Sequence, residues 1–235
     1  MPMNFNFPLA SAVLDGVNAA NANRIRTTLR DMINAYPQGV IDAPFLTNHD
    51  MVRVATNLKD DAARLRSAAA ILLALPGAPF LYYGEELGMQ NGPGGEDEQK
   101  RTPMPWDASA GGGFTTGTPW HGLAPGHETA NVAAETRDPG SLLSHYRRLI
   151  RLRHGSRALR RGRLELLTTE GPVLAYLLTD GDERVLVAHN LGDEPVRAAL
   201  AAPGVAQPLL VPDGALLAPD GVALPGHGSG IWRLK

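Results

Sequence analysis

The sequence predicts an α/β domain followed by a small all-β domain. In the first two thirds of the chain, short apolar runs alternate with amphipathic segments of helical period, which is typical of βα units on a parallel sheet. From Leu164 onwards, short runs with partial alternation are separated by Gly, Pro and Asp turns, and this pattern indicates antiparallel strands. We place the boundary near residues 160–162, which gives domains 1–160 and 161–235.

The elements of the α/β domain can be placed in order along the chain. Apolar runs predict strands at residues 5–9, 40–46 and 79–83. Helical spacing predicts one helix at residues 19–35, one that starts at Asp60-Asp61 and runs through Leu73, and one at residues 141–154. Residues 84–118 are rich in glycine and have no helical period, and a loop of that length inside a compact domain is usually functional. The arginines between Arg147 and Arg163 are expected on a solvated face.

The all-β domain is predicted from four runs with strand-like alternation. These runs lie at residues 173–178, 184–188, 196–200 and 231–234. The Ala-, Pro- and Gly-rich turns between residues 201 and 230 are expected to be loops. With 235 residues, of which 43% are hydrophobic, the chain has enough apolar surface to bury a substantial core.

Composition and charge exclude several classes of protein. A formal net charge of -2 and a pI near 6.4 give no basic field, so we expect no nucleic-acid partner. The absence of cysteine excludes disulfides and thiolate nucleophiles. The longest apolar stretch, residues 68–83, is interrupted by Pro and Gly and is too short to span a bilayer, so we expect no membrane partner. Residues 1–8 have no positive region followed by an apolar run, so they are not expected to be a signal peptide; the localisation is left open, and the chain as it stands is expected in the cytoplasm.

The most informative motif is Phe-Leu-Thr-Asn-His-Asp-Met-Val-Arg, residues 45–53. It places an amide, an imidazole, a carboxylate and a guanidinium just after an apolar strand, at the end where barrel enzymes keep their sites. A carboxylate there can accept hydrogen bonds from two adjacent sugar hydroxyls, and these bonds strengthen as positive charge develops on the ring. Taken alone, the same residues also suit the N-terminal cap of the next helix.

Three ordered blocks resemble the α-amylase family of glycoside hydrolases. Residues 45–53 resemble the motif after the seventh barrel strand, residues 71–89 resemble the eighth strand and its surroundings, and residues 101–107 with 113–120 resemble the loop that follows. Residues 5–8 resemble the sixth strand and residues 185–196 a hairpin of the C-terminal sandwich. The resemblance implies the C-terminal part of a (β/α)8 TIM barrel, about strands six to eight, followed by a small antiparallel β-sandwich domain.

The resemblance also implies roles for individual residues. Asp50 matches the aspartate that stabilises the transition state, and His49 matches its hydrogen-bonding neighbour. Asn48 and Arg53 are the remaining candidates for substrate binding, Asn48 by shaping the loop and Arg53 by reaching an adjacent sugar. The expected partner is an α-glucan or α-glucoside substrate, and no metal ion or other cofactor is expected.

Other polar residues offer weaker alternatives. Glu85 and Glu86 follow the last predicted strand, so they offer an acid/base pair with Asp50, but we favour a buried, ion-paired Glu85. A zinc site at His121, His127 and Glu128 is disfavoured because their spacing matches no ligand motif. Aromatic residues of the long loop are expected to pin the loop to the barrel or to stack on sugars. They are Trp106, Phe114 and Trp120, together with His121.

The resemblance places the catalytic nucleophile and the general acid/base on the fourth and fifth strands, which have no counterpart before Phe5. We therefore expect the C-terminal fragment of a retaining glycosidase in carbohydrate metabolism, inactive alone or completed by a separate N-terminal half of the barrel. The alternative is a non-catalytic carbohydrate-binding or scaffold remnant. In either case, the polar residues after Leu46 and those after Tyr83 should lie at the same end of adjacent parallel strands.

Overall fold

Three extended segments lie side by side in the N-terminal part of the computed structural model, which describes residues 2–37, 39–200 and 206–235. Strand β1 (Met3–Phe5) pairs in parallel with β2 (Ile41–Ala43). On the other side of β2, residues 78–82 run in the same direction, and the amides of Ala78 and Phe80 donate to the carbonyls of Asp42 and Pro44 over 2.8 and 2.9 Å. The three segments therefore form one parallel layer whose carboxyl ends meet at the same edge.

Helices follow these extended segments along the chain. They are α1 (Phe7–Asn18), α2 (Asn23–Ala35), α3 (Val54–Asn57), α4 (Ala62–Ala74), α5 (Val132–Arg137), α6 (Leu142–His154) and α7 (Arg157–Arg161), with 3-10 turns at Glu85–Leu87 and Asp97–Lys100. Asp61 caps α4 by accepting from two backbone amides, and Ser141 caps α6 by accepting from the amide of Ser144. The apolar face of α4 packs against α1 and α6, so α4 lies in the centre of the helical layer.

The C-terminal part contains two antiparallel sheets. Its strands are β3 (Arg163–Leu166), β4 (Val173–Asp180), β5 (Glu183–Asn190), β6 (Val196–Ala199), β7 (Ala206–Leu210), β8 (Leu216–Ala218), β9 (Gly221–Leu224) and β10 (Ser229–Leu234). The larger sheet has the order β3-β4-β5-β10-β7, and the smaller has the order β6-β9-β8. Trp232 and Leu186 of the larger sheet share an apolar core with Val222 and Leu224 of the smaller one.

A second apolar core joins the helices to the larger sheet. The alternate side chains of β4 and β5, among them Tyr176 and Val187, are fully buried in the same cluster as Ile71 of α4 and Leu149 of α6. The two faces of the larger sheet are thus both covered, one by helices and the other by the smaller sheet. This double burial explains why β4 and β5 are almost continuously apolar.

Arg153 lies in the core, although the sequence predicts a solvated arginine there. Its Nη1 donates to the carbonyls of Leu73, Leu75 and Leu159 over 3.0, 2.6 and 2.7 Å, and its Nη2 donates to the carbonyl of Gly77 over 2.6 Å. Burial lowers its pKa to about 10, so the guanidinium stays charged near neutral pH. One side chain therefore satisfies carbonyls at the ends of α4 and α7 that those helices leave unpaired.

The predicted strand at residues 5–9 is wrong, because the chain turns into α1 at Phe7. Asn6 caps this helix by accepting from the amide of Leu9 over 3.0 Å, and Pro8 occupies the first turn, where its missing amide costs nothing. Only the short strand β1 precedes the cap. The helix predicted at residues 19–35 starts later, at Asn23.

The predicted strand at residues 79–83 is extended but does not form a regular ladder. Pro44 has no amide with which to return a hydrogen bond to Ala78, and Pro79 has none either. Two of its apolar side chains are accessible to solvent, since Phe80 is 43% and Leu81 39% exposed. Phe5 in β1 is 49% exposed, so both outer edges of the parallel layer carry accessible apolar side chains.

The four predicted strands of the β part correspond to β4, β5, β6 and β10, whereas β3, β7, β8 and β9 were not predicted. The last three occupy much of the stretch expected to be loops, and residues 201–205 of that stretch lie outside the described residues. None of the helices in the described ranges combines the length and apolar character needed to cross a bilayer.

Candidate functional site

The motif at residues 45–53 forms a tight polar turn after β2. Asn48 Oδ1 accepts from the amide of Asp50 over 2.9 Å, and the carbonyl of Asn48 accepts from the amide of Met51 over 3.2 Å. Asparagine commonly builds such a turn by bonding its side chain to the backbone two residues later. Asn48 therefore fixes the backbone that presents His49 and Asp50.

Asp50 is exposed and is held by two cations from the long loop. Arg101 Nη2 donates to Asp50 Oδ1 over 2.9 Å, and Lys100 Nζ donates to the carbonyl of Asp50 over 3.1 Å. Lys100 also bonds to Asp97 over 2.8 Å and lowers the pKa of that carboxyl. The Asp50 carboxylate is therefore oriented by a charge-assisted bond while one side remains open to solvent.

His49 lies beside Asp50 at the same surface. Its Nε2 is 3.4 Å from Asp50 Oδ2, and its carbonyl accepts from Arg101 Nε over 3.1 Å. Both side chains are more than half exposed. An imidazole and a carboxylate with free edges on the same side can donate to and accept from neighbouring hydroxyl groups of one ligand.

These residues line a cleft of about 390 Å³. Its floor is aromatic and apolar, and its polar side is the turn that carries Asp50. The lining residues are Phe5, Phe7, Phe45, Thr47, Asn48, His49, Asp50, Phe80, Leu81 and Tyr82. Within the described ranges, Asp50 is the one acidic side chain of this lining, so the cleft combines apolar faces with a single carboxylate.

Arg53 lies beneath the turn and does not line the cleft. Its guanidinium carbon is 4.6 Å from the ring centroids of both Tyr82 and Tyr83, and its Nη1 donates to the carbonyl of Tyr83 over 2.7 Å. The residue is only 2% exposed, and burial lowers its pKa. Stacking on two aromatic faces compensates part of the cost of burying this charge.

Glu85 and Glu86 lie at the same end of the layer as Asp50, since Arg53 reaches the carbonyl of Tyr83. This agrees with the predicted layout. Glu85 is buried as expected, but its partner is a hydroxyl rather than a cation: Tyr146 donates to Oε1 over 2.9 Å. Burial is the main cause that raises the pKa of Glu85 to about 8, and it also raises the pKa of Glu86. Neither carboxyl lines the cleft.

The structure thus brings Asn48, His49 and Asp50 together and places Arg53 in the core below them. Sequence reasoning missed Lys100 and Arg101 as site residues, although Arg101 begins the block 101–107 that resembles the family loop. They are separated from Asp50 by about fifty residues of sequence and lie in an irregular loop, so hydrophobic periodicity and motif spacing do not predict the contact.

The aromatic residues of the long loop are not part of the cleft lining. Trp106, Phe114 and Trp120 are 51%, 46% and 59% exposed, and the His121 ring lies 5.3 Å from the Trp120 ring at an angle of 57°. His127 contacts Glu128 at 3.6 Å. Within the part of the chain that the structure describes, no group of three or more His, Asp or Glu side chains is placed to hold a metal ion.

Comparison with known proteins provides a family match for most of the chain. The family model described as alpha amylase, catalytic domain, matches residues 1–162. "Alpha-amylase 3" of Dictyoglomus thermophilum is 36% identical over 197 residues, which cover 81% of this chain and 39% of that protein. A "Probable alpha-glucosidase" of Rhizobium meliloti is 34% identical over 192 residues, which cover 73% of this chain and 35% of that protein.

A solved structure extends the similarity to the whole chain. The crystal structure of an alpha-amylase from H. orenii superimposes with a TM-score of 0.85 and 29% identity, and the match covers 100% of this chain and 49% of that one. The chain therefore spans less than half the length of these relatives.

Proposed function

Because the chain belongs to the α-amylase family, we propose that it is the C-terminal part of a retaining glycoside hydrolase acting on α-glucosidic bonds. Residues 1–162 match the catalytic domain and are a partial barrel. The proposed substrates are starch, maltooligosaccharides or related α-glucosides, which fits the names of the relatives. We further propose that residues 161–235 are a β-sandwich domain, since helices give way to two antiparallel sheets after α7.

The position of Asp50 is the observation that carries this proposal. Its carboxylate stands over an aromatic cleft floor and is oriented by Arg101, with His49 beside it. A pyranose ring has apolar faces that pack on aromatic rings and equatorial hydroxyls that bond to carboxylates. As charge develops on the sugar ring in the transition state, bonds from hydroxyls to Asp50 become stronger, which lowers the barrier.

Hydrolysis with retention needs more than this one group. It requires a nucleophilic carboxylate and an acid/base carboxyl about 5 to 5.5 Å apart, one on each side of the scissile bond. Among the described residues that line the cleft, Asp50 is the only carboxylate, and Glu85 is buried against Tyr146. We therefore propose that the nucleophile and the acid/base are contributed by a separate N-terminal half of the barrel.

Binding of a maltooligosaccharide tests the role of Asp50 without requiring turnover. We expect maltotriose to bind the wild-type chain and Asp50→Ala to weaken this binding about tenfold, the effect of losing a hydrogen bond to a charged group. Asp31→Ala, which removes an exposed carboxylate from α2, is the matched control and should leave the Kd unchanged. Equal affinity of the wild type and Asp50→Ala would contradict the proposed site.

Turnover of a chromogenic α-glucoside separates the catalytic proposal from its alternative. The chain alone should be no faster than Asp50→Ala, and adding a polypeptide with the remaining barrel strands should produce hydrolysis that needs Asp50. Turnover by the chain alone that Asp50→Ala abolishes would mean that Glu85 or Glu86 performs the chemistry. Sugar binding without turnover in the completed barrel would instead favour a non-catalytic binding remnant.

A further inference from the structure

Two adjacent tyrosines hold the backbone on either side of Arg101. The hydroxyl of Tyr82 donates to the carbonyl of Lys100 over 3.0 Å, and the hydroxyl of Tyr83 donates to the carbonyl of Thr102 over 2.7 Å. Burial is the main cause that raises the pKa of Tyr82 to about 12, so its hydroxyl keeps the proton that it donates throughout the neutral range. The backbone of Arg101 is therefore held by hydrogen bonds to the carbonyls of the residues before and after it.

The two tyrosine rings are themselves fixed by Arg53. Its guanidinium stacks on both rings at 4.6 Å and donates to the carbonyl of Tyr83, and it is almost fully buried. The amide of Arg53 in turn donates to Asn91 Oδ1 over 2.9 Å, which ties the end of the polar turn to the following loop. Arg53 thus connects the turn that carries Asp50 to the tyrosines that hold Arg101.

Arg101 bonds to the polar turn that carries His49 and Asp50. Its Nη2 bonds to Asp50 Oδ1 and its Nε to the carbonyl of His49, although the side chain is 37% exposed. A long side chain at such a position loses considerable rotamer entropy when it is held in one geometry, so an exposed ion pair is weak unless its ends are held in place. The bonds from Tyr82 and Tyr83 provide this fixation.

We propose that Tyr82 and Tyr83 are positioning residues whose hydroxyls set the place of Arg101 and, through Arg101, the orientation of the Asp50 carboxylate. This inference rests on the proposed function of Asp50 as a sugar ligand. Tyr83, which does not line the cleft, acts on the sugar through Arg101, whereas Tyr82 also lines the cleft; both hydroxyls bond to main-chain carbonyls next to Arg101. The sequence predicts that Arg53 binds substrate, whereas in the structure Arg53 holds the rings of Tyr82 and Tyr83 in place.

The test removes only the hydroxyls, in Tyr82→Phe, Tyr83→Phe and the double variant, so that both rings still stack on Arg53. The first readout is the Nε–Hε resonance of Arg101 in the 15N-labelled chain, assigned with Arg101→Lys. We expect solvent exchange of this proton to accelerate about fivefold in the double variant. The second readout is the Kd for maltotriose, which should rise about three- to tenfold, the range for losing hydrogen bonds of ordinary strength.

Tyr36→Phe is the matched control, because the Tyr36 hydroxyl bonds to Asn4 and Asp42 and makes no contact with the long loop. It should change neither readout. An Arg101 resonance that stays unchanged in the double variant, with only a lower thermal midpoint, would overturn the proposal and leave the tyrosines a purely structural role. If the double variant does not fold, Tyr83→Phe alone decides by the same two readouts, because Tyr83 does not line the cleft.

The two readouts also separate this inference from the proposed function. If the wild-type chain binds no maltotriose, the proposed sugar site fails, whereas faster exchange at Arg101 in the tyrosine variants still supports the positioning role. If maltotriose binds and depends on Asp50 but Arg101 is unaffected by the tyrosine variants, the sugar site stands and the positioning role is wrong.

Discussion

Tyr146 donates its hydroxyl proton to Glu85 Oε1 over 2.9 Å inside the core. Burial of Glu85 favours its neutral form, which is why its pKa rises to about 8. A carboxylic acid that is protonated in the folded state and ionised in the unfolded state links the stability of the fold to pH.

The first prediction follows from this linkage. Because the folded pKa of Glu85 lies above its unfolded value, its contribution is fully present below about pH 4.5 and is lost as the pH rises towards 8. We expect the free energy of unfolding to fall over this window by at most about 1.4 kcal/mol per pH unit. Urea denaturation at several pH values should show a flatter dependence for Glu85→Gln.

The control for this experiment is Glu98→Gln, which removes an exposed carboxyl from the 3-10 turn at Asp97–Lys100. It should keep the wild-type slope. Glu135, whose pKa burial raises to about 7, contributes in the same direction, so some slope should remain in Glu85→Gln. Identical slopes for the wild type and Glu85→Gln would show that Glu85 is ionised in the folded protein.

The second prediction concerns the opposite pH range. His189 is fully buried between the Tyr176 hydroxyl at 3.3 Å and Ser229 Oγ at 2.8 Å, and burial lowers its pKa to about 3. With the folded value below the unfolded one, its contribution is present above about pH 6.5 and is lost as the pH falls towards 3. His189→Gln should lose less stability than the wild type between pH 6.5 and 4, measured by urea denaturation.

The matched change is His154→Gln, at an exposed position at the end of α6. It should leave the acid limb of the stability curve unchanged. If His189→Gln and the wild type lose stability in parallel, protonation of His189 does not contribute to acid unfolding.

The third prediction concerns Asn6, which caps α1 and bonds through Nδ2 to Asp42 Oδ1 over 3.0 Å. Asn6→Ala should destabilise the chain by about 1–2 kcal/mol, the usual cost of losing a cap. Asn34→Ala, at an exposed position of α2, should be neutral or slightly stabilising, since alanine is the better helix former. Thermal denaturation followed by circular dichroism compares them, and equal midpoints would rule out the cap.

The fourth prediction concerns Arg153. Arg153→Met keeps much of the side-chain volume but leaves the carbonyls of Leu73, Leu75 and Leu159 without their donor. We expect a loss of about 2–4 kcal/mol, because each unsatisfied buried carbonyl is costly. Arg151→Met, on the exposed face of the same helix, should change stability by less than about 0.5 kcal/mol. A similar urea midpoint for both variants would contradict the buried role.

The elements that the sequence predicts well are those whose pattern is local. Strands β4 and β5 are long apolar runs, and α4 and α6 begin at caps, Asp61 and Ser141, that a reader can find directly. Helix α1 was missed because Phe5, Phe7 and Leu9 suggest a strand, although Asn6 and Pro8 form a helix start. The place of Asp50 after a strand was also predictable, because the family motif at residues 45–53 is contiguous and therefore local.

Contacts between distant residues could not be predicted in the same way. Arg53 and Arg153 have the same local appearance as the exposed arginines around them, and only the fold determines which carbonyls and rings they meet. The bond between Arg101 and Asp50 depends on the path of an irregular loop, and the sequence of this loop has no hydrophobic periodicity from which its path could be predicted.

The core that joins α4 and α6 to strands β4 and β5 constrains how such sequences can be recombined. Leu149 and Tyr176 lie on opposite sides of residues 160–162 yet belong to one buried cluster. A crossover between two relatives at that junction would combine side chains that were never selected to fill the same space, and mismatched volumes in a packed interior are destabilising. The partial barrel and the sheet that covers it are therefore expected to be inherited, and to be exchanged in chimaeras, as one unit.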